Sequence, residues 1–365
     1  MIMSVIQEES RTQDIIASDV LNRRDLLRDA AMVSGTVLMG KHGWAVNESD
    51  APGKEDLVRF GETDLYVSRY CQGTAFRKVA RSDNPEARRI LETAIEIGVN
   101  FFDSAEAYGW GGSEEVLGKV VKGRRDQVVI SSKAAPSLPP ERDPDSNRFR
   151  LGRQIAFNRK VLERKLEGSL RRLQTDYIDL YFLHQPDQFG TSLQELAAWM
   201  GGLVRKGRIR YWGVSNFAAF DVAKLREFSV PKQGRYPLAG TQDYFNIAAR
   251  HVVEPRLLNV IGELRLGLMA FSPQDAGRLA PGRKISPARK QLVNALDEVS
   301  QDIGATRPQV TIAWVLSHPQ VTCALGGAET PDQVRENIKG VPLTLNSELI
   351  ERLNQASDLY LATKT

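Results

Sequence analysis

Four side chains that can handle protons stand where apolar runs end: Asp103, Tyr108, Lys133 and His184. The runs are NFFDSAEAYG, QVVISSKA and YIDLYFLHQPD. An acid, a phenol, an amine and an imidazole brought together can hold a proton on the tyrosine and hand it to a carbonyl oxygen. A free phenol ionises at about pH 10. A protonated Lys133 beside Tyr108 is expected to favour the phenolate and lower that value, with Asp103 keeping Lys133 charged and in place. So tuned, Tyr108 would act as general acid near neutral pH. A neutral His184 would donate a hydrogen bond to the same oxygen and orient the substrate. The hydride that completes a reduction has to come from a cofactor, because no side chain carries one.

Bringing these residues together requires strands whose C-terminal ends share one face. From Leu57 onward, short apolar runs alternate with helical patterns. The expected strands are Ser68 to Thr74, Asn100 to Asp103, Gln127 to Lys133, Tyr177 to His184, Ile209 to Ser215, Gly240 to Asp243, Gly267 to Ser272 and Val321 to Gly326. Several are apolar throughout, as in strands buried on both faces. The expected helices are Pro85 to Ile97, one opening at Ser113, Arg159 to Leu173, Thr191 to Arg205, Ala219 to Phe228, Pro255 to Leu264, Pro287 to Ile303 and Pro331 to Ile338. The pattern is clear in the third of these, where Val161, Leu162, Leu166, Leu170 and Leu173 recur at helical intervals.

Eight strands alternating with eight helices point to an α/β fold, a closed (β/α)8 TIM barrel. An open doubly wound sheet is the competing reading. It would want G-x-G-x-x-G after its first strand, and Gly73-Thr74-Ala75 does not provide it. Leu57 to Val67 reads as an N-terminal β-hairpin capping the bottom of the barrel, and the C-terminal segment reads as a helical extension. The stretch from Ala134 to Gly152, with Pro136, Pro139, Pro140 and Pro144, is long for a loop in a compact domain. It follows Lys133 directly and is expected over the active face, in substrate recognition or gating. Gly109-Trp110-Gly111-Gly112 lacks the spacing and lysine of a phosphate loop and reads as a turn.

The motifs resemble those of the aldo-keto reductases, from Leu57 to about Leu359. FFDSAEAYG is similar to that family's second-strand signature and YIDLYFLHQPD to its fourth. The resemblance implies that Asp103, Tyr108, Lys133 and His184 form the catalytic tetrad, with Tyr108 as general acid/base. It implies an NAD(P)H-dependent carbonyl reductase or alcohol dehydrogenase, acting on a small-molecule carbonyl or alcohol. GVSNF implicates Ser215 and Asn216 in binding the nicotinamide carboxamide, and Gln242 matches a glutamine with the same role. Phe271 stands where the family stacks an aromatic ring on the nicotinamide. Ser272, Pro273, Gly277, Leu279 and Gly282 resemble the pyrophosphate loop, and Gly73 and Thr74 the floor of the site. Gly327, Glu329 and Gln333 lead to Glu336 and Asn337, the adenine contacts implied by the resemblance. Glu329 would repel a 2′-phosphate and suit a free ribose hydroxyl, whereas Arg283 would compensate; the expected order is NADP(H) over NAD(H). The chain also resembles potassium-channel β-subunits, which gives the alternative of a slow-turnover, nucleotide-binding regulatory or sensor subunit.

Composition is that of an ordinary globular protein, 42% hydrophobic and 26% charged in 365 residues, with a net charge of +4. The interspersed charges speak against nucleic acid as a partner. The basic series Arg159, Lys160, Arg164, Lys165, Arg171 and Arg172 reads as a solvated helix face. Cys71 and Cys323 read as buried inert thiols, and no histidine or cysteine spacing suggests a metal. At the N-terminus, Asn22-Arg23-Arg24-Asp25-Leu26 precedes a small, apolar run from Ala30 to Gly40 and then Gly43-Trp44-Ala45. This resembles a twin-arginine export signal engaging export machinery through Arg23 and Arg24, with cleavage near residue 45. The run is shorter than the roughly 20 residues of a stable membrane anchor. Residues 1–56 are therefore read as an extension and 57–365 as the barrel, with an exported location expected and a cytoplasmic one as the alternative.

Overall fold

The computed structural model describes residues 57–76, 84–139, 152–229 and 236–364. The arginine pair, its apolar run and residues 140–151 of the Ala134 to Gly152 stretch lie outside the described residues.

Two short antiparallel strands, β1 (Leu57–Arg59) and β2 (Tyr66–Ser68), form the expected hairpin. Eight parallel strands then close into a barrel: β3 (Tyr70–Gly73), β4 (Phe101–Asp103), β5 (Val129–Ala134), β6 (Ile178–Leu183), β7 (Ile209–Ser215), β8 (Gly240–Tyr244), β9 (Gly267–Phe271) and β10 (Cys323–Gly326), with β10 pairing β3. The expected strands are all present, mostly a residue or two shorter than read from their apolar runs. Closure leaves no sheet edge, so nearly every strand residue is buried on both faces.

Crossover helices take their starts from local capping. Asn84 accepts from the Glu86 and Ala87 amides to open α1 (Pro85–Glu96). After α2 (Gly112–Val121), Asn158 caps α3 (Arg159–Leu173) through the Val161 amide. Then come α4 (Leu193–Arg205), α5 (Ala219–Phe228) and α6 (Arg256–Glu263).

The seventh crossover differs from the expectation of a single helix over Pro287 to Ile303. It holds two helices, α7 (Lys290–Asp302) and α8 (Arg307–Leu316), and it is α8 that leads into β10. Helix α8 escapes periodicity because Pro308 and every residue from Val310 to Leu316 are buried, so it has no polar face to give a period. Its start is nonetheless local, a capping box between Thr306 and Gln309 with Pro308 in the first turn. Helices α9 (Pro331–Ile338) and α10 (Ser347–Ala362) complete the chain, and α10, the expected C-terminal extension, packs against α7.

The hairpin closes the barrel floor with one ring. Phe60 has no exposed surface and meets Phe101 edge-on at 6.1 Å between centroids. Gly240 and Gly267 open β8 and β9 as glycines because a Cβ on either would stand 2.6 Å from the Phe60 ring. Asp64 of the hairpin turn is gripped by Arg210 and Tyr211, and Glu62 by Arg226. Cys71 and Cys323 are free, buried thiols in adjacent strands above this floor, and burial pushes the Cys71 thiol well up.

Phe60→Ala should remove the plug and leave a cavity beside two glycines that cannot fill it. The expected cost is about 3–5 kcal/mol of stability, read as a lowered denaturant midpoint. The chemistry at the opposite end of the strands should persist in the protein that remains folded.

Candidate active site

Every proton-handling residue singled out in the sequence reaches the C-terminal end of the barrel. Asp103 is the last residue of β4, Lys133 the last but one of β5, and His184 follows β6 directly. Tyr108 opens a tight turn, Tyr108–Gly111, after β4, with Gly109 and Trp110 in the left-handed region. Strands β4, β5 and β6 are consecutive neighbours, so the three strand residues meet without any loop movement.

Lys133 carries an ammonium with three donors, and each has a partner: Asp103 Oδ2 at 2.5 Å, the Ser104 carbonyl at 2.9 Å and the Tyr108 hydroxyl at 3.2 Å. The Lys133 and Asp103 side chains are 0% and 1% exposed. Asp103 Oδ1 accepts from Ser131 Oγ at 2.7 Å and Gln242 Nε2 at 2.9 Å. The Tyr108 and His184 rings stand edge to face, 5.6 Å apart at 80°. The lysine also lies over the tyrosine ring, 4.7 Å from its centroid.

Burial alone would push the Lys133 ammonium down, but Asp103 and Tyr108 more than offset it, and the net direction is up. His184 is driven well below its ordinary value of 6.5 by burial and by the Lys133 charge, so it is neutral at physiological pH. Tyr108 corrects the expectation from sequence. Its value is raised, not lowered: burial and the Asp103 carboxylate outweigh the pull of Lys133. The phenol is therefore a fully protonated acid at neutral pH, stabilised as such by the same carboxylate that holds the lysine.

Around this group stand the residues read as cofactor contacts. Gln242 is hydrogen-bonded to the acid itself, and Asn216, in the left-handed region at φ 61°, donates to the His184 carbonyl at 3.1 Å and to Ser215 Oγ at 2.9 Å. The buried Asp243 carboxylate accepts the Asn216 amide at 3.2 Å, and burial pushes its value up to about 7. Thr74 ties the floor, donating from its amide to the Asp103 carbonyl and from its hydroxyl to Ser104 Oγ. Gly73 is closely packed, since a Cβ would stand a tight 3.2 Å from the Gly326 carbonyl oxygen. Phe271 is half-buried beside Tyr244, 5.4 Å between rings.

The loop after β9 runs through Ser272, Pro273, Gly277 and Leu279. Its residues Ala276, Gly277 and Arg278, with Arg283, Lys284, Ser286 and Arg289, line a cavity of ≈ 230 Å³. Arg278 and Arg289 are already paired with Asp275, which leaves Arg283, Lys284 and the Ser286 hydroxyl as the groups of this concavity that suit a phosphate. Gly327 leaves open space beside its backbone. Gln333 turns its amide oxygen onto the Glu329 amide, and Glu336 is half-buried nearby on α9. Asn337 is buried and engaged at both ends, by Gln274 at 2.8 Å and Tyr70 at 3.1 Å, so it also ties α9 to the loop after β9.

Two cations depart from the sequence reading. Lys165 and Arg172 belong to the series read as a solvated helix face, yet both turn inward. Lys165 pairs with Glu106 at 2.5 Å and Arg172 with the fully buried Glu114 at 2.7 Å. A charge series shows which residues are charged but not which helix face meets the barrel. Gln274, Ser131 and the carboxylate of Asp275, held by Arg278 and Arg289, were also missed; nothing in their local sequence marks them.

Comparison with known proteins adds an independent line. The model of the Aldo/keto reductase family matches residues 71–358. The chain is 32% identical over 320 residues to the "Uncharacterized oxidoreductase YrpG" of Bacillus subtilis (strain 168), covering 82% of this chain and 95% of that protein. It is 33% identical over 305 residues to the "Methylglyoxal reductase YeaE" of Escherichia coli (strain K12), covering 83% and 95%. It is also 30% identical over 324 residues to a "Probable voltage-gated potassium channel subunit beta" of Oryza sativa subsp. japonica, covering 80% and 94%. Among solved structures, the thermostable aldo-keto reductase Tm1743 in complex with the inhibitor epalrestat superposes with a TM-score of 0.69 at 30% identity, covering 82% of this chain and 99% of that one.

His184 provides a pH test of the site. Its depressed value means that the folded state resists a proton that the unfolded chain accepts. The associated stability is fully present above 6.5 and is lost as pH falls below it. An imidazole NMR titration should show His184 neutral throughout pH 6–8, while an exposed histidine titrates at about 6.5.

Proposed function

The chain belongs to the aldo/keto reductase family, and we propose that within it Tyr108 delivers the proton, Lys133 and Asp103 hold that proton in place, and His184 orients the carbonyl oxygen. The protein is an oxidoreductase that reduces carbonyl compounds with NAD(P)H. The observation that carries the assignment of roles is the three-way engagement of one buried ammonium with Asp103, Ser104 and Tyr108.

When bound, the nicotinamide supplies the hydride that reaches the carbonyl carbon. The chain's own residues do the rest. The protonated Tyr108 hydroxyl gives its proton to the carbonyl oxygen as the C=O bond becomes C–O–H. Lys133 at 3.2 Å then stabilises the phenolate left behind. Asp103 keeps that lysine charged, and the neutral ring of His184 supplies an N–H to the same oxygen. Solvent returns a proton to Tyr108 before the next cycle. Ser215, Asn216 and Gln242 would hold the carboxamide. Phe271 would carry the nicotinamide ring, and Glu336 and Asn337 would hold the adenine.

The exposed Arg283 and Lys284 beside Gly277 support NADP(H) over NAD(H), since a further phosphate would need cations of this kind. Glu329 is the opposing charge, and its backbone amide donates to Gln333 Oε1. The likeness to a protein named methylglyoxal reductase supports small aldehydes as substrates. The likeness to potassium-channel β-subunits keeps a regulatory role as the second reading; an intact set of proton-handling residues favours turnover. The same reading keeps Arg23-Arg24 as an export signal. Among the described residues no helix is long and apolar enough to cross a membrane.

Two measurements test this reading. NADPH oxidation with a panel of small aldehydes should proceed over many cycles. Tyr108→Phe should lower kcat by roughly two to four orders of magnitude while the NADPH Kd stays within about threefold, and NADH should bind more weakly than NADPH. Full activity in the variant would remove Tyr108 from its role, and a single burst followed by arrest would favour the regulatory reading. Cell fractionation should find a shortened protein outside the cytoplasm; a full-length cytoplasmic protein counts against export.

A further inference from the structure

The turn that carries Tyr108 is an awkward piece of backbone. Gly109, Trp110 and Gly111 follow the tyrosine at φ 56°, 48° and 104°. Trp110 has a Cβ and a bulky ring in a region that such residues rarely adopt. A turn of this kind holds one shape only where its surroundings impose it, and the tyrosine hydroxyl has to stay within hydrogen-bonding distance of Lys133.

Two part-buried ion pairs flank the turn. On its N-terminal side, Glu106 Oε1 accepts from Lys165 Nζ at 2.5 Å and from the Ala135 amide at 3.0 Å. On its C-terminal side, Glu114 Oε2 accepts from Arg172 Nε at 2.7 Å, and Oε1 from Ser132 Oγ at 2.5 Å. Lys165 and Arg172 lie seven residues apart on α3, two turns along one face. The Arg172 stem also fills the space beside Gly111, where a Cβ would collide with Arg172 Cδ. Ser132 and Ala135 bracket Lys133 on the chain. Each strut therefore joins a residue flanking the tyrosine turn to the chain on one side of Lys133, with the same helix behind both.

We propose that α3 clamps the proton-donor turn at two points, Lys165 on Glu106 and Arg172 on Glu114, and that these four are positioning residues that set the Tyr108 to Lys133 distance. The proposal rests on Tyr108 being the proton donor. Lys165 has a second role in the clamp. Its Nζ also donates to the Ser137 carbonyl at 2.9 Å, at the root of the stretch leading to residue 152, where Ser137 bridges to Gln154. The Ser137 carbonyl and, through Glu106, the turn of the proton donor are thus held by one ammonium.

The test compares Lys165→Met, Glu106→Gln and the double variant with the wild type and with Tyr108→Phe. Three quantities are read: kcat, the NADPH Kd from nucleotide fluorescence, and the unfolding midpoint. Lys165→Met should lower kcat roughly ten- to hundredfold, as expected when a reacting group is displaced by about 1 Å, with the NADPH Kd within about twofold. The double variant should lose less than the product of the single losses, because neither charge is then left alone in a buried site. If Lys165→Met does not fold, Glu106→Gln decides alone, since it keeps an acceptor for the Ala135 amide and loses only the charge; a loss of roughly three- to tenfold in kcat at unchanged Kd is expected. Unchanged kcat in the folded variants would overturn the clamp, as would kcat and Kd worsening in parallel. If Tyr108→Phe retains full activity, the assignment of the proton donor fails instead.

Discussion

The site depends on one buried ammonium. A lysine with no exposed surface is costly unless each of its donors finds an acceptor and its charge a counter-charge. Lys133 meets both demands, with Asp103, Ser104 and Tyr108 as its three partners. Those demands largely dictate the surroundings. The aspartate has to end the neighbouring strand, its second oxygen has to be satisfied by Ser131 and Gln242, and a hydroxyl has to occupy the third position. The group that occupies it is the one placed to lose a proton, and the charge that holds it there is the one that stabilises the product of that loss.

The barrel separates this arrangement from the interactions that close it. At the floor, Phe60 plugs the strands over two glycines, and ion pairs of Asp64 and Glu62 fasten the hairpin. At the opposite end the strands finish in polar residues, and their loops carry Tyr108, Asn216 and the basic cavity. Parallel strands make the division possible, because every strand presents its C-terminus to the same face. Polar groups that would be unsatisfied in a sheet interior find partners there in one another.

Much of this was legible in the sequence. The alternation of apolar runs and helical periods announced a barrel, and the four proton-handling residues were visible at the ends of their runs. What was not legible has common physical causes. Helix α8 is buried on all sides and so shows no period. Lys165 and Arg172 sit among exposed basic residues, and only packing against the β4 loop turns them inward. The direction of the Tyr108 shift could not be read because two effects of opposite sign compete there, and burial, a property of the fold, outweighs the neighbouring charge.

The sequence by itself determined which chemical groups stand at the strand ends and, through the spacing of apolar residues, that those ends would gather on one face. Hydrophobic periodicity and capping are local properties, written in neighbouring residues. Only the tertiary structure decided how far apart those groups lie, which charges are buried and what each titrates like. Distance and desolvation are properties of residues remote in the chain, and they acquire values only when the barrel has closed.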